Sequence, residues 1–95
     1  MLLAIDLGNT NLTFGLFEGD QLRHDWRLAT RRDSMPDELG LLMVQLMQQE
    51  GFDPKAVEAV VVASVVPPLN SRLVEAIERY FGRDPMMVGP GSRPA

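Results

Sequence analysis

The chain has no cysteine, and that single absence removes disulfides, zinc–thiolate centres and cysteine nucleophiles together. It also suits a cytoplasmic protein. Histidine is nearly as scarce: His24 stands alone and cannot build a histidine-rich metal site. Positive charge is short as well. Lys and Arg number 9 against 13 Asp and Glu, a net charge of −4, so no basic field exists to draw in nucleic-acid phosphates, and no nucleic acid is expected as partner. The one basic cluster, Arg27, Arg31 and Arg32, is answered at once by Asp33, Asp37 and Glu38. Long apolar runs are missing. Met1 to Ile5 meets Asp6 without a basic leader, so neither a signal peptide nor a membrane span is expected. Neither GxxxxGK[ST] nor GxGxxG occurs, which sets aside P-loop and Rossmann sites.

What is present has the balance of a globular domain: 95 residues, 45% hydrophobic and 23% charged, enough for one small core. Leu2 to Ile5 is a short apolar run closed by Asp6 and Gly8, the pattern of a strand buried on both faces. Asn11 to Phe17 alternates around Leu12, Phe14 and Leu16. The turn Glu18-Gly19-Asp20 then predicts an antiparallel strand over Gln21 to Leu28, with Leu22, His24, Trp26 and Leu28 on one face. His24 on that face reads as a structural residue rather than a general base, and Trp26 as a packing residue.

The period changes after Arg32. Ser34 is placed to cap a helix whose first turn takes Pro36, Asp37 and Glu38, and Leu39, Leu42, Met43, Leu46 and Met47 form its buried stripe. Gly51 stops it, and Asp53 caps a short turn. Ala59 to Val66 reads as a central parallel strand ended by Pro67-Pro68. Asn70 to Phe81 is a second helix, with Leu69, Leu73, Ile77, Tyr80 and Phe81 near one face and Gly82 as its cap. Glu75 and Glu78 belong to its solvated side. Pro85 to Val88 supplies a last strand, with Met86 and Met87 as core filler, and Gly89 to Ala95 an irregular tail. The order β-β-β-α-β-α-β, three antiparallel strands followed by parallel crossovers, gives an α/β fold: a ribonuclease-H-like mixed sheet, one helix short of the usual unit. One patch of that sheet is therefore expected to lack a cover.

The chemistry concentrates in Asp6-Leu7-Gly8-Asn9-Thr10-Asn11, between the first two strands. Asp6 closes a buried strand with a carboxylate able to hold magnesium directly or through water. Gly8 allows close backbone approach to a phosphate. Asn9, Thr10 and Asn11 add side-chain donors, and successive N–H groups of such a bend can point at one anion. Phosphoryl transfer rests on positioning and charge neutralisation, so a loop of this kind with a metal makes half of a kinase site. Gly-Asn is also a common hairpin pair, and the hexamer alone fits a plain turn. A plain hairpin, however, needs no aspartate on the buried strand ahead of it, and threonine tightens turns poorly.

The opening MLLAIDLGNTNLTFGLFEGDQLRHDWRLAT resembles that of the type III pantothenate kinases, in the acetate kinase/hsp70/actin superfamily. The likeness continues in Met35-Pro36-Asp37-Glu38, in Ala63-Ser64-Val65-Val66-Pro67-Pro68-Leu69, in Tyr80-Phe81-Gly82 and in Val88-Gly89-Pro90-Gly91. It implies that Asp6, Gly8, Asn9, Thr10 and Asn11 form the ATP-phosphate loop, with Asp6 near Mg2+, and that Ser64 to Pro67 is a strand end facing the cleft with no direct ligand contact assigned. It also implies that residues 1–95 are one ribonuclease-H-like lobe, the N-terminal half of an actin-like ATPase fold. The family's pantothenate-binding stretch and catalytic aspartate lie in a GADR-type motif that these residues do not contain. The second ATP-binding segment, the monovalent-cation site and the second lobe are likewise not among them. The expectation is weak binding of ATP or phosphate, little or no kinase activity, pantothenate as a partner of the intact enzyme only, and a homodimer. The alternative is a non-catalytic half-domain, cut or designed, whose main property is self-association.

Overall fold

The structure, a computed structural model, describes residues 1–88; the expected irregular tail, Gly89 to Ala95, lies outside the described residues. Leu3, Ile5 and Leu7 on β1 (Leu2–Leu7) are almost wholly buried, while Ala4 is half-buried and Asp6 exposed. Period-two alternation thus divides the central strand into an inward and an outward face. β1 pairs antiparallel with β2 (Asn11–Glu18) on one side and parallel with β4 (Ala59–Ser64) on the other. β3 (Gln21–Ala29) and β5 (Met86–Val88) form the edges, giving the order β3-β2-β1-β4-β5. Helices α1 (Pro36–Gln49) and α2 (Pro67–Phe81) connect the strands, with a 3-10 turn at Pro54–Ala56 before β4. The expected element order and the ribonuclease-H-like mixed sheet are both present.

Both helices pack against the same face of the sheet. Leu3, Phe14 and Val62 join Met43, Met47, Leu73 and Ile77 in one buried cluster. β1 and β4 are therefore not covered on both faces, as their apolar runs suggested. Val60 and Val62 are buried, while Ala63 is exposed and Val61 half-buried on the far side. The expected uncovered patch is most of one sheet face, a shallow trough of about 370 Å³ lined by residues such as Ala4, Gly15, Phe17, Leu22 and Val61.

Leu22 reaches that trough because the β2–β3 register slips. Leu16 pairs with His24 but Phe17 pairs with Leu22, so Arg23 is the extra residue of a bulge. The bulge moves Leu22 off the face of His24, Trp26 and Leu28 and onto the open side, over Gly15, where it is 50% exposed. Gly19, at φ +60°, occupies the first central position of the two-residue hairpin turn, a backbone that a Cβ would strain. Trp26 is buried and stacks on Phe14 and His24, with the Phe52 ring meeting it edge-on.

Further positions differ from expectation. The N-cap of α1 is Met35 rather than Ser34, and the Glu38 carboxylate accepts the Met35 N–H at 2.8 Å. Leu42 is 46% exposed, outside the stripe of Leu39, Met43 and Met47. α2 meets α1 on the Gly40 flank, and at about 100° per residue Leu42 lies on the opposite flank. β4 stops at Ser64: the Val65 N–H makes the last ladder bond, to the Leu7 carbonyl at 3.0 Å, and the Val66 N–H turns back to the Ser64 hydroxyl at 3.1 Å. Pro67 and Pro68 open α2 rather than merely ending the strand, since early helical positions need no N–H partner. Met86 and Met87 are exposed, because β5 is a three-residue edge with one neighbour.

Gly40 marks a close helix–helix approach, where an added Cβ would fall 2.2 Å from Cδ1 of Tyr80. The Tyr80 hydroxyl donates to Asp37 Oδ1 at 2.9 Å, and Arg79 Nη1 donates to the same oxygen at 2.8 Å. The Tyr80 and then the Arg79 hydrogen bond hold the Asp37 carboxyl below its ordinary range, and the same bond raises the Tyr80 phenol above its ordinary 10.0. A phenol raised by folding contributes stability fully present below the unfolded pKa and lost as pH rises through the folded one. Gly40→Ala is expected to cost about 1–3 kcal/mol in urea unfolding, by driving the ring off the helix. Tyr80 is the single tyrosine, so ultraviolet titration reads it alone. Its midpoint should lie above 10.0 and fall back toward that value in Asp37→Asn.

Candidate functional site

Gly8, Asn9 and Thr10 link β1 to β2. The Gly8 N–H donates to the Asn11 carbonyl at 2.9 Å, closing the bend, and a Cβ on Gly8 would come within 3.2 Å of that same oxygen. A side chain at this position would thus be crowded, and the Asn11 carbonyl would have to give by a few tenths of an ångström. The bend is tied from outside by Thr30, just beyond β3. Its N–H donates to the Thr10 carbonyl at 2.9 Å and its Oγ1 to the Gly8 carbonyl at 2.7 Å. Among the described residues, the N–H groups of Asn9 and Thr10 donate to no protein acceptor. Arg32 Nη2 donates to Asn9 Oδ1 at 3.1 Å, and Arg72 holds the Arg32 carbonyl at 2.8 Å.

Asp6 lies one residue before the end of β1, in register with Thr13 and Ala63, and its exposed carboxylate belongs to the open face of the sheet. Asp6, Asn9, Thr10 and Asn11 are all exposed, so the bend is not packed shut. These residues stand at the carboxyl end of β1, beside the carboxyl end of parallel β4, the end of a sheet where α/β folds bind ligands. Ser64, at that end of β4, is committed internally: its hydroxyl donates to Asn70 Oδ1 at 2.6 Å and accepts the Val66 N–H at 3.1 Å. Pro67 and Pro68 remove two donors from the start of α2, so donors for an anion at this edge come chiefly from the bend.

His24 makes its contacts elsewhere, stacked on Trp26 at 4.6 Å with Nε2 3.4 Å from Glu50. Among the described residues no three acidic or histidine side chains converge on one point. The acids following the basic cluster do not neutralise it as the sequence suggested. Asp37 pairs with Arg79, Glu38 caps α1, and Arg32 turns to Asn9. Sequence reasoning missed Thr30 and Arg32 as neighbours of the bend. Their pairing spans 22 and 23 residues, and no local pattern carries it.

The sheet order and one-sided helices define a ribonuclease-H-like fold. ROK hexokinase from Thermus thermophilus superposes with a TM-score of 0.65 at 15% identity, over 93% of this chain and 34% of that one. RuvC from the same organism does so with a TM-score of 0.60 at 20% identity, over 94% of this chain and 61% of its own. At such identities the likeness is one of fold alone.

The sequence itself narrows the class. The profile of the type III pantothenate kinases matches residues 2–94, and the chain belongs to that family. The type III pantothenate kinase of Anaeromyxobacter sp. (strain K) is 52% identical over 93 residues, 98% of this chain and 37% of the relative. That of Myxococcus xanthus (strain DK1622) is 54% identical over 91 residues, 96% of this chain and 36% of the relative. The chain spans little more than a third of the length of these curated relatives, and matches their N-terminal part.

Proposed function

We propose that residues 1–95 act as the ATP-phosphate-binding lobe of a type III pantothenate kinase, which transfers the ATP γ-phosphate to a hydroxyl of pantothenate on the way to coenzyme A. The observation that carries this reading is the exposed Asp6 carboxylate at the end of β1, beside a bend with two N–H groups that have no acceptor among the described residues. Asp6, Gly8, Asn9, Thr10 and Asn11 hold the phosphates: Gly8 by close approach, Asn9 and Thr10 through backbone N–H, and Thr10 and Asn11 through their side chains. The donor set suits Mg2+, which binds through one or two carboxylates and takes its remaining ligands from water and phosphate oxygens. Asp6 is the residue that would hold it. The ion, when bound, neutralises charge on the β- and γ-phosphates.

Taken alone, the chain binds Mg-ATP weakly and phosphorylates pantothenate little or not at all, because no catalytic aspartate of a GADR-type motif is within its 95 residues. A phosphate loop without a base and a second wall orients one substrate only. On this reading the lobe works in the cytoplasm, without nucleic acid or membrane as partner. Calorimetry with ATP and magnesium tests the site: Asp6→Ala is expected to weaken binding roughly tenfold or more, a loss of about 1.4 kcal/mol per decade. Equal affinity in the two proteins would remove Asp6 from the site.

A second reading, self-association, is favoured by the open sheet face. Phe17, Leu22 and Val61 present apolar surface there, around the small residues Ala4, Gly15 and Ala63. A second copy laid face to face covers it, as a homodimer. Sedimentation equilibrium over a range of concentrations should show a dimer that Val61→Glu returns to monomer. A monomeric parent chain at every concentration overturns this.

A further inference from the structure

We propose that Thr30 is a positioning residue of the phosphate bend, holding its first peptide in the orientation that offers the Asn9 N–H to an anion. The proposal rests on the reading of Asp6 to Asn11 as a phosphate-binding loop and adds to it a residue from just beyond β3.

Two hydrogen bonds carry the inference. Thr30 Oγ1 donates to the Gly8 carbonyl at 2.7 Å, and the Thr30 N–H donates to the Thr10 carbonyl at 2.9 Å. A trans peptide is planar, with its C=O and N–H pointing in opposite directions. The Gly8 carbonyl and the Asn9 N–H belong to one such plane. Fixing the carbonyl on Thr30 therefore turns the Asn9 N–H away from Thr30, toward the exposed side of the bend. That N–H has no protein acceptor among the described residues. Asn9 is itself exposed.

The peptide needs an external hold because of the residue that begins it. Glycine at position 8 permits the tight closure on Asn11, but its freedom also lets the following peptide plane rotate at little steric cost. A rotated plane would present a carbonyl to the incoming phosphate. The strap removes that alternative before the ligand arrives, which spares the ordering cost at the moment of binding. Thr30 is suited to the task. It is half-buried, and its branched Cβ restricts the rotamer that aims the hydroxyl. Arg72 steadies the segment that follows by binding the carbonyls of Arg32 at 2.8 Å and Ser34 at 3.4 Å.

The test uses the full 95-residue chain, with Mg-ATP as probe and calorimetry as readout, alongside amide hydrogen exchange and thermal melting. Thr30→Val keeps the shape and the backbone bond but deletes the hydroxyl donor; Thr30→Ser keeps the donor and drops the methyl. Thr30→Val is expected to weaken Mg-ATP binding about three- to tenfold, the span of one lost hydrogen bond. It should also speed exchange of the Gly8 amide. Thr30→Ser should restore affinity to within about twofold of the parent, even where its melting temperature stays lowered. Parent-like binding by Thr30→Val overturns the proposal while leaving the loop's role intact. Equal weakening by Val and Ser overturns it too, since methyl packing would then be the cause. A parent chain that binds no Mg-ATP sinks the loop reading, and this proposal with it.

Discussion

The alternation along β1 is the constraint from which the rest of the molecule follows. Leu3, Ile5 and Leu7 turn inward to the two helices, and Asp6, between two of them, turns outward at the strand's end. β1 is hydrogen-bonded on both sides, so its pleat sets the facing of β2 and β4 as well. A one-residue slip would put Asp6 into the core and three apolar side chains into water, a cost that pins the register. The same strand thereby anchors the core and delivers a carboxylate to the edge where the bend begins.

One-sided packing follows from the helices. α1 and α2 meet at Gly40, where Tyr80 lies against bare backbone, and the pair share one face of the sheet. A midhelix glycine costs helix stability of roughly 1 kcal/mol relative to alanine. Here the close approach it permits lets Tyr80 reach Asp37, which ties the start of α1 to the end of α2. The other sheet face is left with small side chains at its centre and Phe17 and Leu22 toward one end, the latter brought there by the bulge at Arg23. Family membership places that open face in a protein whose relatives are nearly three times as long.

The bend has a layered construction. Gly8 closes it locally, Thr30 ties it to the strand beyond β2, and Arg72 on α2 holds the segment that carries Arg32. Only the first of these layers is encoded within the hexamer. The second and third depend on β3 lying beside β2 and on α2 crossing behind, so the bend is shaped by most of the fold although its own residues are consecutive.

Local pattern alone determined the order of strands and helices, the helix stop at Gly51, the cap at Gly82 and the glycine-containing bend from Asp6 to Asn11. Those features rest on periodicity, turn chemistry and a short motif, which act between near neighbours. The sequence also implied a missing cover on the sheet, because a helix was absent from the usual order. Tertiary structure decided which face that was, since an apolar run such as Val60 to Val62 fits a strand covered on one face or two. It likewise decided the exposure of Leu42, the crossing of Leu22 to the open side, and the contacts of Thr30 and Arg32 with the bend. Each depends on which residues meet across long stretches of chain, and no local periodicity records such meetings.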